Sequence, residues 1–373
     1  MSTRVIRSLR YPLRPTKTQE GVLNGWLGQC QELYNAALEQ RRDAWRRQRI
    51  SVTKYDQYKQ LTELRAADPD WAAVPALVQR SALERLDRAF RAFFRRVKAG
   101  GAPGYPRFRS RDLYDSFVVP FGDARIDGDR VILPKLGAVR FHKYRELRGT
   151  PKEVRVHRGA RGWSVSIVCD LGAAPPKVAV RNAVGIDVGL EAFATLSNGE
   201  RVDNPRFGRS AAAQLADRQR RLARKRRGSN GRCEAKRLVA RAHERIRNQR
   251  LDFARKLACV LFSRFELIAY EDLTISRMVH GNLAKSIHDA AWGVFLQCLV
   301  DKAESASRHA IAVDPRGTSQ ACSRCGNVVK KDLSEREHAC ECGLVLHRDE
   351  NAARNVLARG LRVGSLTEVS EIQ

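Results

Sequence analysis

Val184-Gly185-Ile186-Asp187-Val188-Gly189 is an apolar run that reaches a carboxylate and stops at glycine. Such a run reads as a buried strand carrying Asp187 at its end, and Phe193 to Leu196 reads as a second strand close behind it. The pattern returns from Phe265 to Tyr270, where another apolar strand is followed by Glu271. A third acid, Asp349, lies in His347-Arg348-Asp349-Glu350-Asn351, directly ahead of a helix expected over Ala352 to Leu357. Each acid alone has an ordinary explanation: Asp187 can open a turn, Glu271 and Asp272 a helix, and Asp349 can serve as an N-cap. Together they are the donor set that two magnesium ions require for phosphodiester hydrolysis, one activating water and the other neutralising the leaving oxygen. Alternation along an extended strand turns Asp272 away from the side that Glu271 faces, so Glu271 is the ligand candidate. The chain has no GxxxxGK phosphate loop and no Ser, His and Asp set in nucleophile-like contexts.

Between the second and third acids stand Cys322-Ser-Arg-Cys325-Gly326 and Cys340-Glu-Cys342-Gly343. Tetrahedral zinc takes four thiolates from two tight knuckles, and a glycine after each pair lets backbone amides turn toward the sulfurs. The second knuckle is one residue shorter than usual. A four-cysteine set leaves no open position, so this zinc is expected to be structural. The other five cysteines, Cys30, Cys169, Cys233, Cys259 and Cys298, are scattered and read as small buried hydrophobes.

Farther out, charge dominates. Lys and Arg number 69 against 41 Asp and Glu in 373 residues, a net charge of +28 with a pI near 10.4. That surplus calls for a polyanionic partner, because cations set against phosphates release counterions and bind strongly. From Arg218 to Lys256 a helical pattern is crowded with Arg and Lys, and Gly228 to Gly231 is expected to break it into two helices. Arg224, Lys225, Arg226 and Arg227 are its candidate phosphate contacts, joined by Arg107 and Arg109 after the Gly100 to Pro106 break. No secretory signal opens the chain, and no stretch approaches the roughly 18 apolar residues of a membrane span, so a cytoplasmic protein is expected.

The remainder falls into blocks. Residues 1–15 supply a strand, and 16–105 are helical, with helices expected from about Thr18, over 54–66 and over 77–98. Short β-branched runs separated by turns make 106–176 a small antiparallel sheet or barrel. A further domain begins at 177 and runs to 317, followed by the cysteine module at 318–346 and the third acidic motif with the tail at 347–373.

Val184-Gly-Ile-Asp187-Val-Gly189, Ala269-Tyr-Glu271-Asp-Leu273 and Arg348-Asp349-Glu-Asn351-Ala-Ala resemble the three RuvC motifs of the TnpB family of transposon-encoded proteins. Thr318-Ser319-Gln-Ala-Cys322 resembles that family's approach to its zinc ribbon, and Ser286-Ile-His-Asp289-Ala-Ala-Trp292-Gly its helix after the second motif. Leu13-Arg14-Pro15-Thr16 with Gln19, and Tyr34-Asn35 with Leu38, are similar to its N-terminal helical region. Pro106-Arg-Phe108-Arg-Ser-Arg111 and Leu133-Pro-Lys-Leu136-Gly137 are similar to its wedge domain.

The resemblance implies an α/β chain plus a small β-barrel: an RNase H-like RuvC domain with a zinc ribbon insertion, an N-terminal helical recognition lobe and a wedge β-barrel. It also implies a guide RNA from the transposon end, double-stranded target DNA recognised beside a short adjacent motif, and one protein copy per RNA. Asp187, Glu271 and Asp349 would then hold magnesium. A compact type V CRISPR effector and a guided, nuclease-inactive repressor share much of this pattern. His347 departs from it, standing where relatives often carry another Asp, and Arg348 and Asn351 are candidates to position phosphate or a ligand carboxylate.

Overall fold

β1 (Arg4–Arg14) enters the fold as a strand and ends at Pro15, where Thr16 caps the first helix. The Thr16 hydroxyl accepts the Gln19 N–H at 3.2 Å, and Gln19 Oε1 accepts the Thr16 N–H at 3.1 Å. This reciprocal box satisfies two otherwise orphaned amides. In this computed structural model the described residues are 4–330, 332 and 335–363; the end of the expected tail, 364–373, lies outside them. One unit runs to Ala173 and a second begins at Ala174.

The N-terminal unit continues with α1 (Lys17–Gln48), α2 (Lys54–Ala67), α3 (Pro69–Ala73) and α4 (Ala76–Lys98). Then come β2 (Ser116–Pro120), β3 (Arg125–Asp127), β4 (Arg130–Leu133), β5 (Gly137–Phe141), β6 (Thr150–Gly159) and β7 (Gly162–Ala173). All seven strands join one antiparallel sheet ordered β2-β6-β7-β1-β5-β4-β3. β1 lies near its middle, pairing with β7 from Arg4 opposite Ala173 to Pro12 opposite Ser164, then passing to β5 at Leu13 and Arg14. Helices and sheet bury their apolar faces in a common core that includes Trp26, Leu83, Phe117 and Val139. Trp26 meets Phe117 edge-on at 5.6 Å, so truncating it would cost about 3–5 kcal/mol.

The second unit opens with β8 (Ala183–Val188), β9 (Ala192–Leu196) and β10 (Arg201–Asp203), then α5 (Phe207–Ser210), α6 (Ala212–Ala223) and α7 (Asn230–Arg264). β11 (Leu267–Glu271), α8 (Ile275–Met278), α9 (Ala284–Ala290), α10 (Trp292–Ala306) and β12 (His309–Val313) follow. The hairpin β13 (Glu337–Ala339) and β14 (Val345–His347) leads into α11 (Arg348–Val363). The sheet order is β10-β9-β8-β11-β12, with β8, β11 and β12 parallel and the first two strands antiparallel.

Alternation assigns the faces of this sheet. Val184, Ile186 and Ile268 pack toward Leu261 and Phe262 of α7 and Phe295 and Leu299 of α10. Leu267, Ala269 and Val313 pack on the other side, with Val356 of α11. Glycine lets α11 come very close. A Cβ on Gly185 would meet the Ala353 carbonyl oxygen at 2.0 Å, and one on Gly360 would meet Ala269 Cβ at 2.4 Å. The basic helical stretch is interrupted as its glycines suggest, with α6 ending at Ala223 and Ser229 capping α7 through a bond from the Arg232 N–H.

Candidate active site and zinc module

Asp187 and Glu271 share the α11 face of the sheet. Ile186 pairs with Tyr270 in parallel register, so the residues that follow, Asp187 and Glu271, sit on adjacent strands with the same parity. Asp349 comes from the first turn of α11, which begins four residues earlier than its apolar pattern suggests, so Asp349 lies inside the helix rather than capping it. A Cβ on Gly189, just past β8, would lie 4.0 Å from Asp349 Oδ2. The Asp349 N–H donates to His347 Nδ1 at 3.2 Å.

The electrostatics match this crowding. Burial pushes the Asp187 carboxyl well above the usual carboxylate range, the negative charges of Glu271 and Asp349 push it further, and Arg348 opposes them. Burial also raises Glu271, against a hydrogen bond from Thr318 and the charge of Arg359. Glu271 is 8% exposed, while its neighbour Asp272 is exposed, as strand alternation requires. Repelling carboxylates held away from water form a donor set that suits divalent cations.

The four cysteines converge more tightly. All four sulfurs lie within 4.8 Å of one another, with Cys322–Cys342 and Cys325–Cys340 each at 3.6 Å. Zn–S bonds of about 2.3 Å place tetrahedral thiolates about 3.8 Å apart, so the donor set fits zinc. Burial opposes ionisation of Cys322, yet the amides of Cys325 and Arg324 bring its thiol down to about 5. The Cys342 amide favours the Cys340 thiolate, but burial and the neighbouring thiols drive Cys340 up to about 12. One thiolate is favoured and the next is resisted, which a bound cation would relieve. No other such His, Cys, Asp or Glu group closes to this spacing among the described residues. The acids need not, since outer ligands of two ions about 4 Å apart can stand about 8 Å from each other.

Asn351 does not face a phosphate. Fully buried, it donates to the Ala321 carbonyl at 2.7 Å and accepts the Ser323 N–H at 2.9 Å, tying α11 to the first knuckle. One turn later, Asn355 donates to the carbonyls of Thr318 and Ala321 at 2.8 and 2.7 Å. Thr318 Oγ1 lies 2.6 Å from Glu271 Oε1. Sequence reading missed Asn355 and this contact, although two asparagines four apart mark one helix face. Arg348 spends one bond on the Asp332 carbonyl at 3.1 Å.

Arg224, Lys225, Arg226 and Arg227 form the turn between α6 and α7, all exposed, and none makes an ion pair among the described residues. Neighbouring helical cations are neutralised locally, as in Arg221 with Asp217 and Lys256 with Asp252. In the N-terminal unit, Arg107 and Arg109 are exposed. Asn35 brackets the Arg109 backbone, accepting its N–H and donating to its carbonyl oxygen at 2.9 Å each. In the second unit a cleft of about 800 Å³ opens beside Leu190 and Glu191, lined by Arg206, Arg209, His243, Lys285 and Arg336 among others. No helix among the described residues is long and apolar enough to cross a membrane.

Comparisons with known proteins agree with this layout. A family model described as "Probable transposase" matches residues 166–281, "Cas12f1-like, TNB domain" matches 292–356, and "Helix-turn-helix domain" matches 1–49. Over that last span the structure has one strand and one long helix. A Streptomyces pristinaespiralis protein named "Putative RNA-guided DNA endonuclease" is 34% identical, covering 97% of this chain and 91% of its own. "Putative RNA-guided DNA endonuclease InsQ" of Escherichia coli (strain K12) is 29% identical over 95% and 92%. Among solved structures, a Cas12f1-sgRNA-target DNA complex matches with a TM-score of 0.60 at 14% identity, covering 91% of this chain and 83% of that one, a likeness of fold. Its three acidic motifs, its four-cysteine module and this near full-length identity place the chain in the TnpB family, among the relatives named as RNA-guided DNA endonucleases.

Proposed function

We propose that the chain is an RNA-guided DNA endonuclease, using an RNA from the transposon end to find DNA beside a short adjacent motif. The supporting observation is that Asp187 and Glu271 share the α11 face of the sheet and that Glu271, with Asp349 of α11, lies near enough to Asp187 for both charges to raise its carboxyl. In this reading the three acids hold two magnesium ions, which supply an activated water and charge neutralisation for phosphodiester hydrolysis. The chain's own residues then do the rest. β8 and β11 fix two acids on neighbouring strands, α11 brings the third, and Arg348 supplies positive charge beside Asp187. The four cysteines hold one structural zinc, and the 224–227 cations with Arg107 and Arg109 meet nucleic-acid backbone. Base pairing supplies sequence specificity while protein contacts supply backbone affinity.

Asp187→Ala or Glu271→Ala should abolish magnesium-dependent cleavage while RNA-directed DNA binding persists, measured by gel shift. Cleavage retained in either variant would remove the metal assignment. The match of residues 292–356 to a Cas12f1-like domain favours a second reading, a compact type V CRISPR effector. Sequencing the copurifying RNA separates the two: a transposon-end transcript supports the first, a CRISPR repeat the second.

A further inference from the structure

We propose that Thr318 is the positioning residue of Glu271 and that Asn351 and Asn355 of α11 fix where Thr318 stands. The proposal rests on the metal-ligand role of Glu271 given above. Thr318 is 3% exposed and lies four residues before the first zinc cysteine. Its Oγ1 stands 2.6 Å from Glu271 Oε1 and 2.9 Å from the Pro315 carbonyl oxygen. A hydroxyl carries one proton and so serves one acceptor at a time, and a carboxylate outcompetes a neutral carbonyl. Among the described residues this is the one hydrogen bond the Glu271 carboxylate accepts. It therefore selects the direction in which that carboxylate points.

Thr318 is itself held from the opposite side. Asn355 grips its carbonyl and that of Ala321, while Asn351 grips Ala321 and the amide of Ser323, inside the first knuckle. Four bonds thus run between α11 and the segment 318–323, and the Thr318 hydroxyl carries that placement onward to β11. Asp349 stands on the first turn of the same helix. The helix that bears one acid and the knuckle that takes zinc therefore share one frame with the strand that bears another. Support of this kind for a metal ligand commonly changes metal affinity by about 10- to 100-fold.

The test uses the full chain with zinc loaded, titrated with Mn²⁺ while free ion is followed by electron paramagnetic resonance. Thr318→Val and Thr318→Ala are made together so that one well-folded variant suffices, with Thr318→Ser as the conservative control. The hydroxyl-free variants should bind Mn²⁺ about 10- to 100-fold more weakly at unchanged zinc content, and serine should restore most of the loss. Cleavage should follow, with kcat lowered and KM for target DNA unchanged. Wild-type Mn²⁺ affinity in Thr318→Val or Thr318→Ala overturns the positioning role. Glu271→Gln is measured beside them. Wild-type affinity there overturns the ligand role of Glu271 and the proposal with it, whereas a loss there beside normal hydroxyl-free variants overturns positioning alone.

Discussion

A methyl group on Gly185 probes whether the close approach of α11 builds the acidic centre. The added Cβ would lie 2.0 Å from the Ala353 carbonyl oxygen, 2.6 Å from the Leu357 nitrogen and 2.9 Å from Leu357 Cβ. Carbon–oxygen contacts begin at about 3.3 Å, so strand and helix must separate by about 1 Å or more. The nearest two atoms are backbone, so no side-chain rotation relieves the clash and the helix itself has to move. Overpacking of this kind costs about 1–3 kcal/mol. In a unit of about 200 residues that lowers Tm by about 2–12 °C. Asp349 rides on the first turn of the displaced helix, and about 1 Å of misplacement at a reacting centre costs about 100-fold in rate. The assays are differential scanning fluorimetry and a cleavage time course with guide RNA and magnesium, run well below both melting points. Gly185→Ala with wild-type melting and cleavage would refute the reasoning. Lowered melting with wild-type cleavage would separate the helix approach from catalysis.

Cys325→Ser should release zinc and lower soluble yield, because a structural zinc's binding energy is also folding energy; metal analysis of the purified variant checks it. Replacing Arg224, Lys225, Arg226 and Arg227 with alanine should weaken nucleic-acid binding and flatten the slope of log K against log salt by up to about 3 on single strands and about 4 on duplex, read from titrations at several salt concentrations. Asp289 gives a pH signature. Burial works against its charge, but Arg250 and the N–H groups of Gly208 and Arg209 hold its carboxyl below the usual range. Its stabilisation is therefore present above the unfolded-state pKa near about 3.9 and is lost as pH falls through the lower folded value. Asp289→Asn should cost about 1–3 kcal/mol at pH 7, and its melting point should fall less than wild type's below about pH 4.

The sequence spoke clearly wherever chemistry and periodicity coincided. Val184 to Asp187 and the strand before Glu271 are legible because apolar runs bury and a carboxylate marks where they stop. The paired cysteines are legible because few arrangements need two knuckles. β12 escaped notice: His309–Val313 is short and half-exposed, and its strand identity comes from pairing with β11, a partner about 40 residues away. Asn351 is a candidate to position phosphate or a ligand carboxylate in the sequence, yet a fully buried amide must satisfy its own polar atoms, and here it serves the backbone of the first cysteine knuckle. The close approach of α11 at Gly185 was not legible in the sequence, because which helix fills that space depends on the tertiary fold.

Because Arg4 lies beside Ala173 in the sheet, the N-terminal unit has its entrance and exit on neighbouring strands. A polypeptide piece with adjoining ends behaves as a cassette: it can be excised, grafted into another chain or circularly permuted while its hydrogen-bonded ladder stays whole. Exchange of this piece between proteins therefore needs only one pair of neighbouring splice points, a short route by which the unit that begins at Ala174 can acquire a different front end.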